Sequence, residues 1–314
     1  MTEPRLHHVS CRSSAGTHRM AYWQWGDPQA PQVVVCVHGL SRQGRDFDAL
    51  ARALLAGASQ PLRVVCPDVV GRGHSDWLRD PSLYQVPTYA ADMLALFAAL
   101  DEHAPVAWFD WVGTSMGGLI GMSLCGSPEL PLPAPVRRLV LNDVGPVIQW
   151  AAIQRIGGYL GQAGRFDTLQ HAADALSAIS AGFGPHTPEQ WLALSQPMVR
   201  ALPEGGFALH YDPAIAVPLR ALTQAQAEEG QTALWHLYDR IRARTLLLRG
   251  TESDLLTHET ALEMTRRGPC ARLVEFEGVG HAPTLVSEQQ REPVVTFVLQ
   301  EEESGHEELH RRGA

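Results

Sequence analysis

The residues of this 314-residue chain that could do chemistry together are a serine, a histidine and an aspartate lying far apart in sequence. Ser115 sits in Gly113-Thr114-Ser115-Met116-Gly117, which fits G-x-S-x-G. The spacing has a mechanical meaning. A serine held between a strand and a helix needs a strained backbone to project its hydroxyl outward, and residues without a Cβ two positions either side leave room for that turn. A hydroxyl is a weak nucleophile and needs a base. His281, in Gly278-Val279-Gly280-His281-Ala282-Pro283, follows the last expected strand, so the fold can deliver it to the edge of the sheet where Ser115 sits. The base in turn needs a carboxylate to fix its tautomer and stabilise its cation. Asp254, a short loop beyond the strand at 245–249, is the expected choice from the chain order Ser…Asp…His. Asp143, after the strand at 137–141, and Glu252 are its rivals.

A tetrahedral intermediate on such a serine carries an oxyanion that needs two preorganised donors. The Met116 N–H, backed by the dipole of the following helix, is one. The Leu40 N–H is expected to be the other, because His38-Gly39-Leu40 ends a buried strand and Gly39 lets the backbone turn inward. The His38 ring then braces the loop. Arg42 and Arg45 follow the same turn and are candidates to clamp a substrate carboxylate as an arginine fork would. Pairing with Asp46 and Asp48 is the alternative.

These residues need a scaffold, and the hydrophobic pattern supplies one. Residues 6–13 and 19–26 read as a hairpin-like start. β-Branched or apolar runs at 32–37, 62–66, 106–112, 137–141, 245–249 and 273–276 read as buried strands. Helical spacing occupies 46–56, 88–100, 259–266 and 292–299, the last with Pro293 in its first turn. Strands alternating with helices imply an α/β fold, a mostly parallel sheet with helices on both faces. The alternation breaks from 144 to 240, where an Ala-, Gln- and Leu-rich helical pattern is interrupted by Gly157-Gly158 and Gly205-Gly206. The expected organisation is a core at 1–143, an inserted helical cap at 144–240, the rest of the core at 241–300 and a charged mobile tail at 301–314. The insertion carries Trp150, Ile153, Ile156, Tyr159, Leu160, Phe166, Phe183, Trp191, Met198 and Trp235. About a third of these are expected to line a pocket and the rest to form the insertion's own core and seam.

Composition narrows the function. The chain is 45% hydrophobic and 19% charged, enough for a large core. Its net charge of −9, with no offsetting basic stripe, argues against a nucleic-acid partner. No apolar run is long enough for a membrane span, and the first ten residues lack the apolar core of a secretory signal. Five cysteines without C-x-x-C spacing read as free thiols of a cytoplasmic protein. No cofactor and no metal is expected, and the oligomeric state stays open.

Taken together, His38-Gly39, Asp68 through Ser75, Gly113 to Gly117, Gly250 to Asp254 and Gly280-His281 resemble the α/β-hydrolase superfamily, in the family's order and over nearly the whole chain. The resemblance implies an eight-stranded sheet, a helical cap after the sixth strand, and a Ser115–His281–Asp254 triad. Serine at the nucleophile position departs from the dehalogenase and epoxide-hydrolase branches, and Leu40 after Gly39 departs from the HGGG-type lipases. The implied activity is hydrolysis of small to medium, mostly neutral carboxylic esters through an acyl-enzyme, with polyester oligomers in range. Lactonase, lysophospholipase, thioesterase and C–C bond hydrolase activities share the triad. A small-molecule receptor on a hydrolase scaffold is the non-enzymatic alternative.

Overall fold

The computed structural model describes residues 3–162 and 164–300, so the expected tail at 301–314 lies outside the described residues. The chain opens with a hairpin of β1 (Arg5–Ser13) and β2 (Gly16–Gly26). There follow β3 (Gln32–Val37), α1 (Asp48–Gly57), β4 (Arg63–Asp68), α2 (Val86–His103), β5 (Trp108–Thr114), α3 (Met116–Gly126) and β6 (Val136–Asn142). An excursion then carries α4 (Trp150–Tyr159), β7 (Arg165–Phe166), α5 (Leu169–Ile179), α6 (Pro188–Ser195), β8 (Val199–Ala201), β9 (Phe207–Leu209), α7 (Ala216–Ala221) and α8 (Gln224–Arg240). The chain closes with β10 (Arg244–Gly250), α9 (His258–Met264), β11 (Arg272–Phe276) and α10 (Glu288–Leu299).

Eight strands form the main sheet in the order β1-β2-β4-β3-β5-β6-β10-β11. β2 is antiparallel to β1 and β4, and all neighbours from β4 to β11 are parallel. Parallel strands must bury both faces, and the two-residue period of β3 shows how. Val33, Val35 and Val37 join Leu96, Phe97 and Ile120 of α2 and α3 on one side. Val34 and Cys36 join Leu50 and Leu54 of α1 and Val294 and Phe297 of α10 on the other. Each such side chain contributes about 1.5–3 kcal/mol on full burial. That is why a continuous apolar run, rather than an alternating one, marks these strands.

Two expectations are corrected. α10 begins at Glu288, capped by Ser287, whose hydroxyl accepts from the Gln290 N–H, so Pro293 lies inside the helix and not in its first turn. The proline removes one helical hydrogen bond, and Val294, Phe297 and Val298 on the buried face carry the helix through it. The excursion at 144–240 is not wholly helical. β7, β9 and β8 form a three-stranded antiparallel sheet. Phe166, Val199, Phe207 and Leu209 pack with Ala172 against α5, and Gly205 and Gly206, both at positive φ, let the chain turn before β9. Among the described residues no helix is long and apolar enough to cross a membrane.

Candidate active site

Ser115 occupies the single residue between β5 and α3 with φ 51° and ψ −114°. A Cβ on Gly113 would lie 2.4 Å from the Gly117 carbonyl carbon, and one on Gly117 would lie 2.0 Å from the Val37 carbonyl oxygen. The two glycines therefore let the start of α3 press against β5 and the end of β3, and this close approach forces the serine outward. The Trp111 indole N–H donates to the Gly117 carbonyl at 3.0 Å and ties the turn down. Because the obstacle to a side chain at 117 is backbone of a central strand, Gly117→Ala is expected to cost at least about 3 kcal/mol. Urea unfolding checks this, and a wild-type midpoint would contradict it.

The last loop brings His281 to this turn. Its Nε2 lies 2.9 Å from Ser115 Oγ, and its Nδ1 lies 2.7 Å from an oxygen of Asp143. A carboxylate only accepts, so the ring proton belongs on Nδ1 and Nε2 accepts from the serine hydroxyl. The carboxylate beside His281 is thus Asp143, and the expectation for Asp254 is corrected. Asp254 is half-exposed and forms a two-pronged ion pair with Arg155, at 2.7 and 2.9 Å. Glu252 is exposed and approaches the loop only through its backbone, its N–H donating to the Val279 carbonyl. The sheet explains the outcome. β6 is the direct neighbour of β5, with Thr114 opposite Asn142, so the residue after β6 stands beside the serine.

Asp143 is fully buried and held on every side. Its backbone sits at φ 57°, and its N–H donates to the Leu248 carbonyl at 2.9 Å. One carboxylate oxygen accepts from the Gly250 N–H at 3.0 Å; the other accepts from Ser253 Oγ at 2.6 Å and from His281. These donors offset the cost of burying a charge. Nothing in the sequence marks Ser253 or Asn142 as part of this arrangement. Ser253 lies one residue before Asp254 and donates to the Asp143 carboxylate instead. Asn142 donates to Thr114 Oγ1 at 3.0 Å and to the Pro283 carbonyl at 2.8 Å, joining the serine strand to the histidine loop.

The turn after β3 faces the same point. A Cβ on Gly39 would lie 3.7 Å from the Ser115 Cβ. Neither the Leu40 N–H nor the Met116 N–H has an acceptor among the described residues, whereas two residues further on the Arg42 N–H donates to the Gly39 carbonyl at 3.1 Å and the Gly118 N–H to the Ser115 carbonyl at 2.8 Å. His38 is fully buried; its Nδ1–H donates to the Gly39 carbonyl at 2.7 Å, and its Nε2 accepts from the Val69 N–H at 2.9 Å. Burial pushes the ring's pKa down from 6.5 to about 3. Protons therefore bind the unfolded chain and not the folded one across this window, so the stability linked to His38 is full above pH 6.5 and is lost as pH falls toward 3. Relative to His38→Gln, the wild type is expected to lose about 1.4 kcal/mol per unit between about pH 6 and pH 4. Paired denaturation curves test this; parallel pH profiles would contradict it.

A cavity of about 280 Å³ opens over Ser115, His281, Gly39 and Leu40. From the excursion, Ile156, Tyr159, Leu160, Phe166, Phe183 and Met198 line it, more of the expected residues than the sequence suggested. Trp150, Ile153, Trp191 and Trp235 do not. The clamp expected of Arg42 and Arg45 is corrected to the pairing alternative. Arg42 reaches the cavity wall, but its guanidinium grips Asp46 at 2.6 and 2.7 Å. Arg45 grips Asp48 at 2.7 and 2.6 Å, lies 4.8 Å from the Trp23 ring centroid and faces a separate groove.

Two groupings bear on metals. Cys11, His18 and Asp92 bring their ligand atoms within 4.8 Å, all buried. The His18 Nε2 is bonded to both oxygens of Asp92, and burial pushes the Cys11 thiol up, which keeps it protonated. This trio reads as a packed hydrogen-bonded cluster that ties β1 and β2 to α2. His306-Glu307-Glu308-Leu309-His310 has H-E-x-x-H spacing, but it lies outside the described residues.

Comparison with known proteins agrees with this architecture. The chain is 49% identical over 290 residues to a 3-hydroxybutyrate-oligomer hydrolase of Cupriavidus necator, covering 91% of this chain and 95% of that one. It is 29% identical over 278 residues to an esterase of Mycobacterium tuberculosis, covering 85% and 81%. A solved α/β hydrolase from Novosphingobium aromaticivorans superimposes with a TM-score of 0.78 at 34% identity, covering 95% of this chain and 99% of that one. Residues 34–296 match the family described as Alpha/beta hydrolase family, and the chain belongs to it.

Proposed function

We propose that the chain hydrolyses short oligomers of 3-hydroxyalkanoate esters, and simpler carboxylic esters, through an acyl-enzyme on Ser115. The observation that carries this reading is the unbroken hydrogen-bonded series Ser115–His281–Asp143 beneath a largely apolar cavity. Support for the oligomer comes from the 3-hydroxybutyrate-oligomer hydrolase, whose match runs over nearly the full length of both chains.

Each step follows from a named group. The His281 Nε2 takes the proton as Ser115 Oγ attacks the ester carbonyl. The developing oxyanion is received by the free Leu40 and Met116 amides, the latter at the positive end of α3. Asp143 holds the imidazolium that forms, with Ser253 and the Gly250 amide fixing the carboxylate. His281 then protonates the leaving alcohol, which for an oligomer is the 3-hydroxyl of the next unit. Water, activated by the same ring, resolves the acyl-enzyme. Residues 144–240 act as a cap in this reading. They wall the acyl pocket with side chains that suit a methyl-branched four-carbon unit and exclude bulk water.

The test is incubation with 3-hydroxybutyrate dimer and trimer and with p-nitrophenyl butyrate. Release of 3-hydroxybutyrate and of nitrophenolate is expected; failure to cleave any of them would overturn the proposal.

A further inference from the structure

An oligomer of hydroxy acids has neutral ester units but ends in a carboxylate, and the cavity must deal with that charge. The arginines on its wall are Arg42 and Arg155. Arg42 is not available. Its ion pair with Asp46 is nearly enclosed, at 11% and 16% side-chain exposure, and the guanidinium also donates to the Leu194 carbonyl. Taking Arg42 for a substrate would leave the largely buried Asp46 carboxylate without its partner.

Arg155 differs. It projects from the first helix of the excursion, beside Tyr159 of the same cavity wall, and pairs with Asp254 at the protein surface, the two being 45% and 49% exposed. An exposed ion pair is worth roughly 0–1 kcal/mol, so exchanging its partner costs little. A guanidinium can also bind two carboxylates, since its five N–H groups exceed what one of them takes.

We propose that Arg155 is the binding residue for the terminal carboxylate of the substrate, and that Asp254 is its built-in competitor, which weakens the hold enough for product to leave. This rests on the ester-oligomer reading above. It gives the aspartate expected to be catalytic a role in specificity instead. It also assigns direction: the carboxylate end lies toward the outer wall formed by Arg155, and the scissile ester lies inward over Ser115.

The two partners make opposite predictions, which separates recognition from a structural ion pair. Arg155→Gln removes the cation and uncovers the Asp254 charge. Asp254→Asn leaves the cation unopposed. The readout is the ratio of kcat/KM for the 3-hydroxybutyrate trimer acid to that for its methyl ester, at low ionic strength. The ratio is expected to fall about tenfold in Arg155→Gln and to rise several-fold in Asp254→Asn, with both changes shrinking as salt is added. Arg155→Lys is expected to recover part of the ratio. If Arg155→Gln does not fold, the rise in Asp254→Asn decides the matter. Ratios that stay at the wild-type value, or that move in the same direction in both variants, would overturn the proposal. Failure of the wild type to cleave even the methyl ester would instead overturn the hydrolase reading beneath it.

Discussion

Asp143→Asn is expected to lower kcat on p-nitrophenyl butyrate by roughly 10⁴-fold, while Asp254→Asn stays within a few-fold of wild type. An asparagine at 143 fits the same space. Its amide nitrogen, however, would face either the Ser253 hydroxyl and His281 or the Gly250 N–H, all of which donate to the carboxylate now. The ring would be driven toward the tautomer that carries its proton on Nε2, and that tautomer cannot accept from Ser115. The loss should fall on kcat with little change in KM, because Asp143 is fully buried and touches no substrate. Steady-state kinetics on the two variants side by side checks this. A collapse of activity in Asp254→Asn with Asp143→Asn intact would restore the expectation drawn from the sequence.

Ser115→Ala is expected to reduce turnover of every substrate by roughly 10⁴- to 10⁶-fold. Among the described residues Ser115 carries the hydroxyl that is hydrogen-bonded to the His281 ring; Ser41, Thr114, Tyr159 and Ser180 also line the cavity but make no such bond. Cys36 and Cys66 are buried in β3 and β4, and burial pushes the Cys66 thiol well above its ordinary range. Folding should survive, since the strained turn depends on Gly113 and Gly117 rather than on the hydroxyl. The residual rate reports what the oxyanion donors and the cavity achieve without a nucleophile. An unchanged melting temperature with turnover gone is the expected pattern, and retained turnover would contradict the mechanism.

How far the site could be seen in the sequence follows from how local its causes are. The serine turn is written in five consecutive residues, because the clash that demands glycine at 113 and 117 is with backbone packed directly against the turn. The central strands are equally plain, since parallel strands buried on both faces leave long apolar runs. The acid is a different kind of fact. Asp143 and Asp254 both follow a strand, both lie between Ser115 and His281 in the chain, and chain order cannot choose between them. The choice depends on which strand end abuts the serine and on the left-handed backbone at Asp143, both set by tertiary packing. The small sheet at 165–209 is not legible in the sequence for a related reason. Its strands are two or three residues long, too short to show alternation. The start of α10 was readable as Ser287-x-x-Gln290, but Pro293 drew the boundary inward.

The central claim is that one proton relay, Ser115–His281–Asp143, activates a single hydroxyl. Reaction with a fluorophosphonate, followed by peptide mass spectrometry, measures that most directly. The account predicts one adduct, on the peptide containing Ser115, formed at the wild-type rate in Asp254→Asn and slowed by orders of magnitude in Asp143→Asn. An adduct on another residue, or undiminished labelling of Ser115 in Asp143→Asn, would contradict it.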